Sequence, residues 1–155
     1  MEERSASGSA SGPATPIIQL RDVEKVYRTG RVDYPALRGV DLDVDAGELV
    51  AVVGPSGSGK STILNLVTGI DRPSDGLVVV TGRDLSELNE EDLAVWRGEH
   101  VGIVFQFFQL LPTLTASENV MLPLDFARSG SVRQRADIAE ARLEQVGLAD
   151  HLGHF

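Results

Sequence analysis

The chain has 155 residues, 42% of them hydrophobic, with no cysteine and a formal net charge of -9. That length supports one modest domain with its own core. So acidic a surface disfavours nucleic-acid binding, and the lack of cysteine excludes disulfides, thiol catalysis and thiolate metal sites.

Residues 1–15 are rich in Ser, Ala and Gly. They read as a disordered tail, because they cannot bury enough surface to offset the entropy of ordering. The opening Met1-Glu2-Glu3 has no apolar stretch behind it, unlike a secretory signal. The longest apolar runs fall far short of the roughly 20 residues needed to cross a bilayer, so a cytoplasmic location is expected.

Ordered structure is expected from residue 16 onward. Residues 17–23 alternate loosely between apolar and polar, as a half-exposed antiparallel strand would, and 36–44 repeat that character before a turn at Asp45-Ala46-Gly47. Leu49-Val50-Ala51-Val52-Val53 is continuously apolar, the pattern of a parallel strand covered on both faces. It runs into a glycine-rich loop. Beyond that loop, apolar residues at 63, 64, 66 and 67 suit a buried helix.

Farther on, 76–81 reads as a strand, 87–97 as a short amphipathic helix and 101–105 as a second fully buried strand. Thr115-Ala116-Ser117-Glu118 is a capping-box pattern opening a helix that Pro123 should end or kink. Ser131-Val132-Arg133-Gln134 opens another, whose spacing predicts burial of Ala136, Ala139, Leu143 and Val146.

The loop Gly54-Pro55-Ser56-Gly57-Ser58-Gly59-Lys60-Ser61, followed by Thr62, matches G-x-x-x-x-G-K-[ST]. Its glycines let backbone N–H groups converge on phosphate oxygens, and the following helix adds its N-terminal dipole. Lys60 would reach the β- and γ-phosphates as a point charge, and Ser61 would place a hydroxyl on Mg²⁺. A merely flexible Gly/Ser loop predicts neither a buried strand before it nor a helix after it. The pattern therefore points to a bound nucleotide, with Mg-ATP expected.

With these stretches in view, the chain resembles the nucleotide-binding domain of an ABC transporter, nearest to the macrolide-export and lipoprotein-release group. The matching residues are 36–42, 47–51, 54–62, Val104-Phe105-Gln106-Phe107-Phe108 and 111–120. The last two stretches are the more diagnostic, since many NTPase classes share the glycine loop. The resemblance implies an α/β fold: a P-loop core with an N-terminal antiparallel β subdomain over 16–106, and the start of a helical subdomain over 107–155.

The resemblance also implies residue roles. Tyr27 stacks on adenine, with Tyr34 as a rival. Gln106 touches Mg²⁺ or its water, serves the catalytic site beside Lys60, and links it to a membrane partner. Phe107, Phe108, Leu110 and Leu111 either fill the helical subdomain's core or receive a coupling helix of a transmembrane permease. A second nucleotide-binding subunit would complete a homodimer, peripheral on the inner face of the membrane. His151 and His154 read as a solvated pair rather than a metal site, with no third ligand nearby.

The family pattern continues into a signature loop and an apolar strand ending in Asp-Glu, and no such strand occurs in these residues. The expectation is ATP binding without efficient hydrolysis by this chain alone. The alternatives are a truncated gene product that binds nucleotide without catalysis, or the ATPase of a cell-wall or division complex. A GTPase is disfavoured, because no Asn-Lys-x-Asp motif is present.

Overall fold

The computed structural model describes residues 15–127 and 129–155, so the expected tail over 1–15 lies outside the described residues except at Thr15. The chain forms two compact units that divide after Leu88.

The first unit is built on a four-stranded antiparallel sheet in the order β2-β1-β3-β4. Strand β1 (Ile18–Thr29) and β2 (Val32–Val44) form a long hairpin in which Ile18 pairs with Val44 and Thr29 with Val32. On the other edge of β1 runs β3 (Asp75–Val80), followed through the Thr81-Gly82 turn by the short β4 (Arg83–Asp84). Helix α1 (Lys60–Val67) completes the unit. The buried side chains include Leu20, Val23, Leu37 and Val44 from the hairpin, Leu66 from α1, and Val78 and Val80 from β3.

The loose alternation of β1 has a structural cause. Pairing slips between Leu20 and Val23, where Asp22 takes a left-handed φ of 48° and donates its N–H to the Asp41 carboxylate (2.9 Å). This bulge puts both Leu20 and Val23 in the core, although they are three residues apart. Opposite it, Gly76 has φ 87°, and a Cβ there would collide with the Asp22 carbonyl oxygen. Only glycine lets β3 approach the bulge this closely.

Two expected strands are not found. Residues 49–53 and 101–105 carry no strand assignment and join no sheet among the described residues. Leu49, Val53 and Val104 are almost fully exposed. A continuous apolar run states what a buried strand would contain, but a strand also requires neighbours that supply its hydrogen-bond ladder.

The second unit is helical. Helix α2 (Glu90–His100) starts three residues later than expected, because Asn89 caps it by accepting from the Asp92 N–H (2.9 Å). Residues Leu85–Glu87 instead form a 3₁₀ turn of the first unit. Acidic residues fill the first turn of α2 and Arg97 and His100 the last, matching the helix dipole. Leu93 and Trp96 are its buried residues.

Helix α3 (Ala116–Phe126) carries the expected capping box between Thr115 and Glu118. The Thr115 amide and hydroxyl donate to the Glu118 carboxylate and hold it below the usual carboxylate range. Pro123 does not end the helix, which continues to Phe126, and the Ala127 N–H still bonds to the Pro123 carbonyl (3.1 Å). A proline removes one N–H, and here the helix accommodates that loss for one further turn. The amides of Ala116 and Ser117 find acceptors in the carbonyls of His154 (2.7 Å) and Leu152 (3.1 Å).

Helix α4 (Val132–Gln145) opens on the second capping box, Ser131 with Gln134, and packs on α3. It buries Ala139 and Leu143, whereas Val146 lies past its end and is 69% exposed. No helix among the described residues is long and apolar enough to cross a membrane.

Candidate nucleotide site

Among the described residues, α2, α3 and α4 each open on a side chain that accepts from the first turn, namely Asn89, Thr115 and Ser131. Helix α1 does not. Its N-cap is Gly59, with no side-chain cap and no acidic residue in its first turn. The helix beginning at the glycine loop thus leaves amide donors and positive dipole without a side-chain acceptor, an arrangement suited to an anion.

Gly59 is required where it stands. Its φ is 89°, and a Cβ would lie 2.8 Å from both the Ala36 carbonyl oxygen and Leu37 Cδ2. The loop is thereby pressed against β2, and α1 starts at a fixed height above the sheet. The Ile63 N–H closes the first turn on the Gly59 carbonyl (2.9 Å).

A cavity of about 230 Å³ opens at this point. Tyr27, Tyr34 and Ala36 wall it from the hairpin, while Ser56, Gly57, Gly59, Lys60, Ser61 and Thr62 wall it from the loop and helix. Gly54, Pro55 and Ser58 supply the rest of the turn, with the Ser58 N–H bonded to the Pro55 carbonyl (3.3 Å). The Lys60 ammonium donates to the carbonyls of Gly54 (3.0 Å) and Pro55 (2.7 Å). Phosphate oxygens presented in the cavity would offer that cation charged acceptors instead, which make roughly twice as strong a hydrogen bond. Ser61 is exposed at the head of α1, whereas Thr62 is buried.

Tyr27 and Tyr34 face each other across the hairpin as a registered pair, so both candidate aromatic residues reach the cavity. They differ in attachment. The Tyr27 hydroxyl donates to Asp71 Oδ2 (2.9 Å), and the Lys25 ammonium lies 4.9 Å from its ring centroid. Burial raises the phenol above its ordinary value and the hydrogen bond to Asp71 adds to the rise. At neutral pH the proton therefore stays on Tyr27. Burial also pushes the Asp71 carboxyl upward, but hydrogen bonds from Lys25, the Arg72 amide and Tyr27, with the charge of Lys25, hold it below the usual range.

Lys25 and Asp71 are the residues that sequence reasoning missed. Lys25 stands two places from Tyr27, a spacing that hints at a shared face, but nothing local marks Asp71, which is 44 residues from Tyr27.

Gln106 lies in the second unit, exposed at a bend. Phe107, Phe108, Leu110 and Leu111 are all exposed, so they do not fill a core here. Leu110 and Leu111 border a mainly apolar cavity of about 370 Å³, together with Pro112, Leu114 and Phe155. His151 and His154 contact each other through their Nδ1 atoms (2.9 Å), and no group of three metal-binding side chains occurs among the described residues.

Comparison with known proteins adds to this geometry. Residues 37–154 match the family model described as ABC transporter. Over 135 residues the chain is 50% identical to the lipoprotein-releasing system ATP-binding protein LolD of Anaeromyxobacter dehalogenans, covering 87% of this chain and 56% of that protein. It is 47% identical over 140 residues to the macrolide export ATP-binding/permease protein MacB of Rhodopirellula baltica, covering 90% of this chain and 20% of that one. A solved dimeric ATP-binding cassette in a post-hydrolysis state, bound to ADP and Pi, superposes with a TM-score of 0.81 at 38% identity. That match covers 88% of this chain and 60% of the cassette.

Proposed function

Because this chain belongs to the ABC transporter family, we propose that it holds Mg-ATP on the loop from Gly54 to Thr62 and serves as the energy-coupling subunit of an exporter or lipoprotein-release system. The observation that carries this reading is the uncapped N-terminus of α1, with Lys60 at its first position and a cavity open in front of it. Backbone amides and Lys60 would take the β- and γ-phosphates, while Tyr27 would take the base.

A divalent ion fits the donor set, since the Ser61 hydroxyl is exposed beside Lys60 and borders the same cavity. Such an ion would supply charge neutralisation at the phosphates. Ser61 would hold it from the loop, and Gln106 is assigned the second contact by family pattern. Cleavage requires groups that orient the attacking water, and no apolar strand ending in Asp-Glu occurs in these residues. Nucleotide binding is the part of that chemistry assigned to these residues.

The exposed residues Phe107, Phe108, Leu110 and Leu111 are assigned to contact with a transmembrane permease. A second copy of the domain would complete the dimer on the inner face of the membrane. The chain spans 56% of the lipoprotein-release relative, so transport and hydrolysis are proposed for the whole protein.

The metal assignment is tested by titrating ATP with and without Mg²⁺. The expected result is that Mg²⁺ tightens ATP binding in the unaltered chain and loses most of that effect in Ser61→Ala. Equal dependence on Mg²⁺ in both proteins would remove Ser61 from the metal site.

A further inference from the structure

Tyr27 sits near the turn end of the hairpin, three residues before Gly30 of the Gly30-Arg31 turn, and is 36% exposed. Two groups converge on it.

Asp71 Oδ1 accepts from the Lys25 ammonium (2.6 Å) and from the Arg72 amide (2.7 Å). This fixes the carboxylate so that Oδ2 meets the Tyr27 hydroxyl. Lys25 also donates to the Arg72 carbonyl (2.7 Å), which holds its ammonium over one face of the ring. The side chains of Lys25 and Asp71 are only 12% and 28% exposed, so water competes weakly for these bonds.

Asp71 is itself anchored to α1. Its N–H donates to the Asn65 carbonyl (3.1 Å), as does that of Ile70 (2.9 Å). The first residues of α1 border the nucleotide cavity, and its last turn holds, through the Asn65 carbonyl, the residue whose carboxylate tethers Tyr27. Both ends of the site therefore refer to one short rigid element.

We infer that Lys25 and Asp71 are positioning residues for the base: they lock the Tyr27 ring upright and cover one of its faces, so that a purine stacks on the other face at a fixed distance from the phosphate loop. This rests on the reading of Tyr27 as the base-stacking residue. A plain structural ion pair between β1 and the loop after α1 would need no bond to the Tyr27 hydroxyl and no cation over its ring. A preorganised ring loses less freedom on binding, and a cation held against it adds to the fixed geometry.

The test compares two ligands on the full chain by calorimetry: ATP, and inorganic tripolyphosphate, which presents phosphates without a base. Tyr27→Phe and Asp71→Asn should each weaken ATP by roughly three- to tenfold, the range of a lost aromatic or hydrogen-bonding arrangement. Both should leave tripolyphosphate within about twofold. The double variant should be no weaker than either single one, because each breaks the same tether.

Equal loss for tripolyphosphate would make the cluster merely structural and overturn the inference. So would unchanged ATP affinity in Asp71→Asn beside clear weakening in Tyr27→Ala, and in that case the stacking role of Tyr27 would stand. Unchanged ATP affinity in Tyr27→Ala would sink the stacking role and the inference with it.

Discussion

Lys60→Ala is expected to weaken Mg-ATP binding by roughly tenfold to more than a hundredfold, the range set by losing a charged hydrogen-bonding group worth about 1.5–3 kcal/mol. The ammonium already stands at the loop, bonded to the carbonyls of Gly54 and Pro55. It can therefore turn to phosphate without moving the backbone. Those two carbonyls are its hydrogen-bond acceptors in this structure, and it is only partly buried. Its removal should thus change stability by no more than about 0.5 kcal/mol. Calorimetric ATP titration with a parallel thermal melt checks both halves. Lost binding with an unchanged melt is the expected pair, and unchanged binding would take Lys60 out of the site.

Gly59→Ala should do something different. A methyl group would be placed 2.8 Å from the Ala36 carbonyl oxygen, on strand β2, and 2.8 Å from Leu37 Cδ2. Leu37 is a buried core residue with little room to retreat. The φ of 89° adds strain that an L-residue carries at about 1–2 kcal/mol, and overpacking costs about as much again. A destabilisation of roughly 3 kcal/mol is expected, with α1 pushed away from the hairpin. Urea unfolding would show this as a lower midpoint with the slope unchanged. ATP binding should fall too, so Gly59→Ala loses both properties and Lys60→Ala only one. A Gly59→Ala protein of unchanged midpoint would mean that the loop does not press on β2.

These contrasts show which features a sequence exposes. The glycine loop is legible because its residue types answer to backbone conformation, as the left-handed φ of Gly59 illustrates. The capping boxes at Thr115 and Ser131 are legible because partner and cap stand three residues apart.

Features settled by distant parts of the chain are not legible. The bulge at Asp22 depends on Asp41 and on the bare α-carbon of Gly76 across the sheet. The runs 49–53 and 101–105 have the composition of buried strands yet join no sheet, because composition does not supply a ladder. Pro123 remains inside α3 and does not end it. At the candidate site the loop and both tyrosines could be read directly. The tether from Asp71 to Tyr27 could not, since it exists only once α1 and β1 are packed together.

The loop from Gly54 to Ser61, with the uncapped head of α1 behind it, is the proposed ATP site. Isothermal titration of Mg-ATP into the full 155-residue chain tests it most directly. Saturable binding at one site per chain is expected, displaced by tripolyphosphate and severely weakened in Lys60→Ala. No saturable binding at millimolar ATP, or binding indifferent to Lys60, would contradict it.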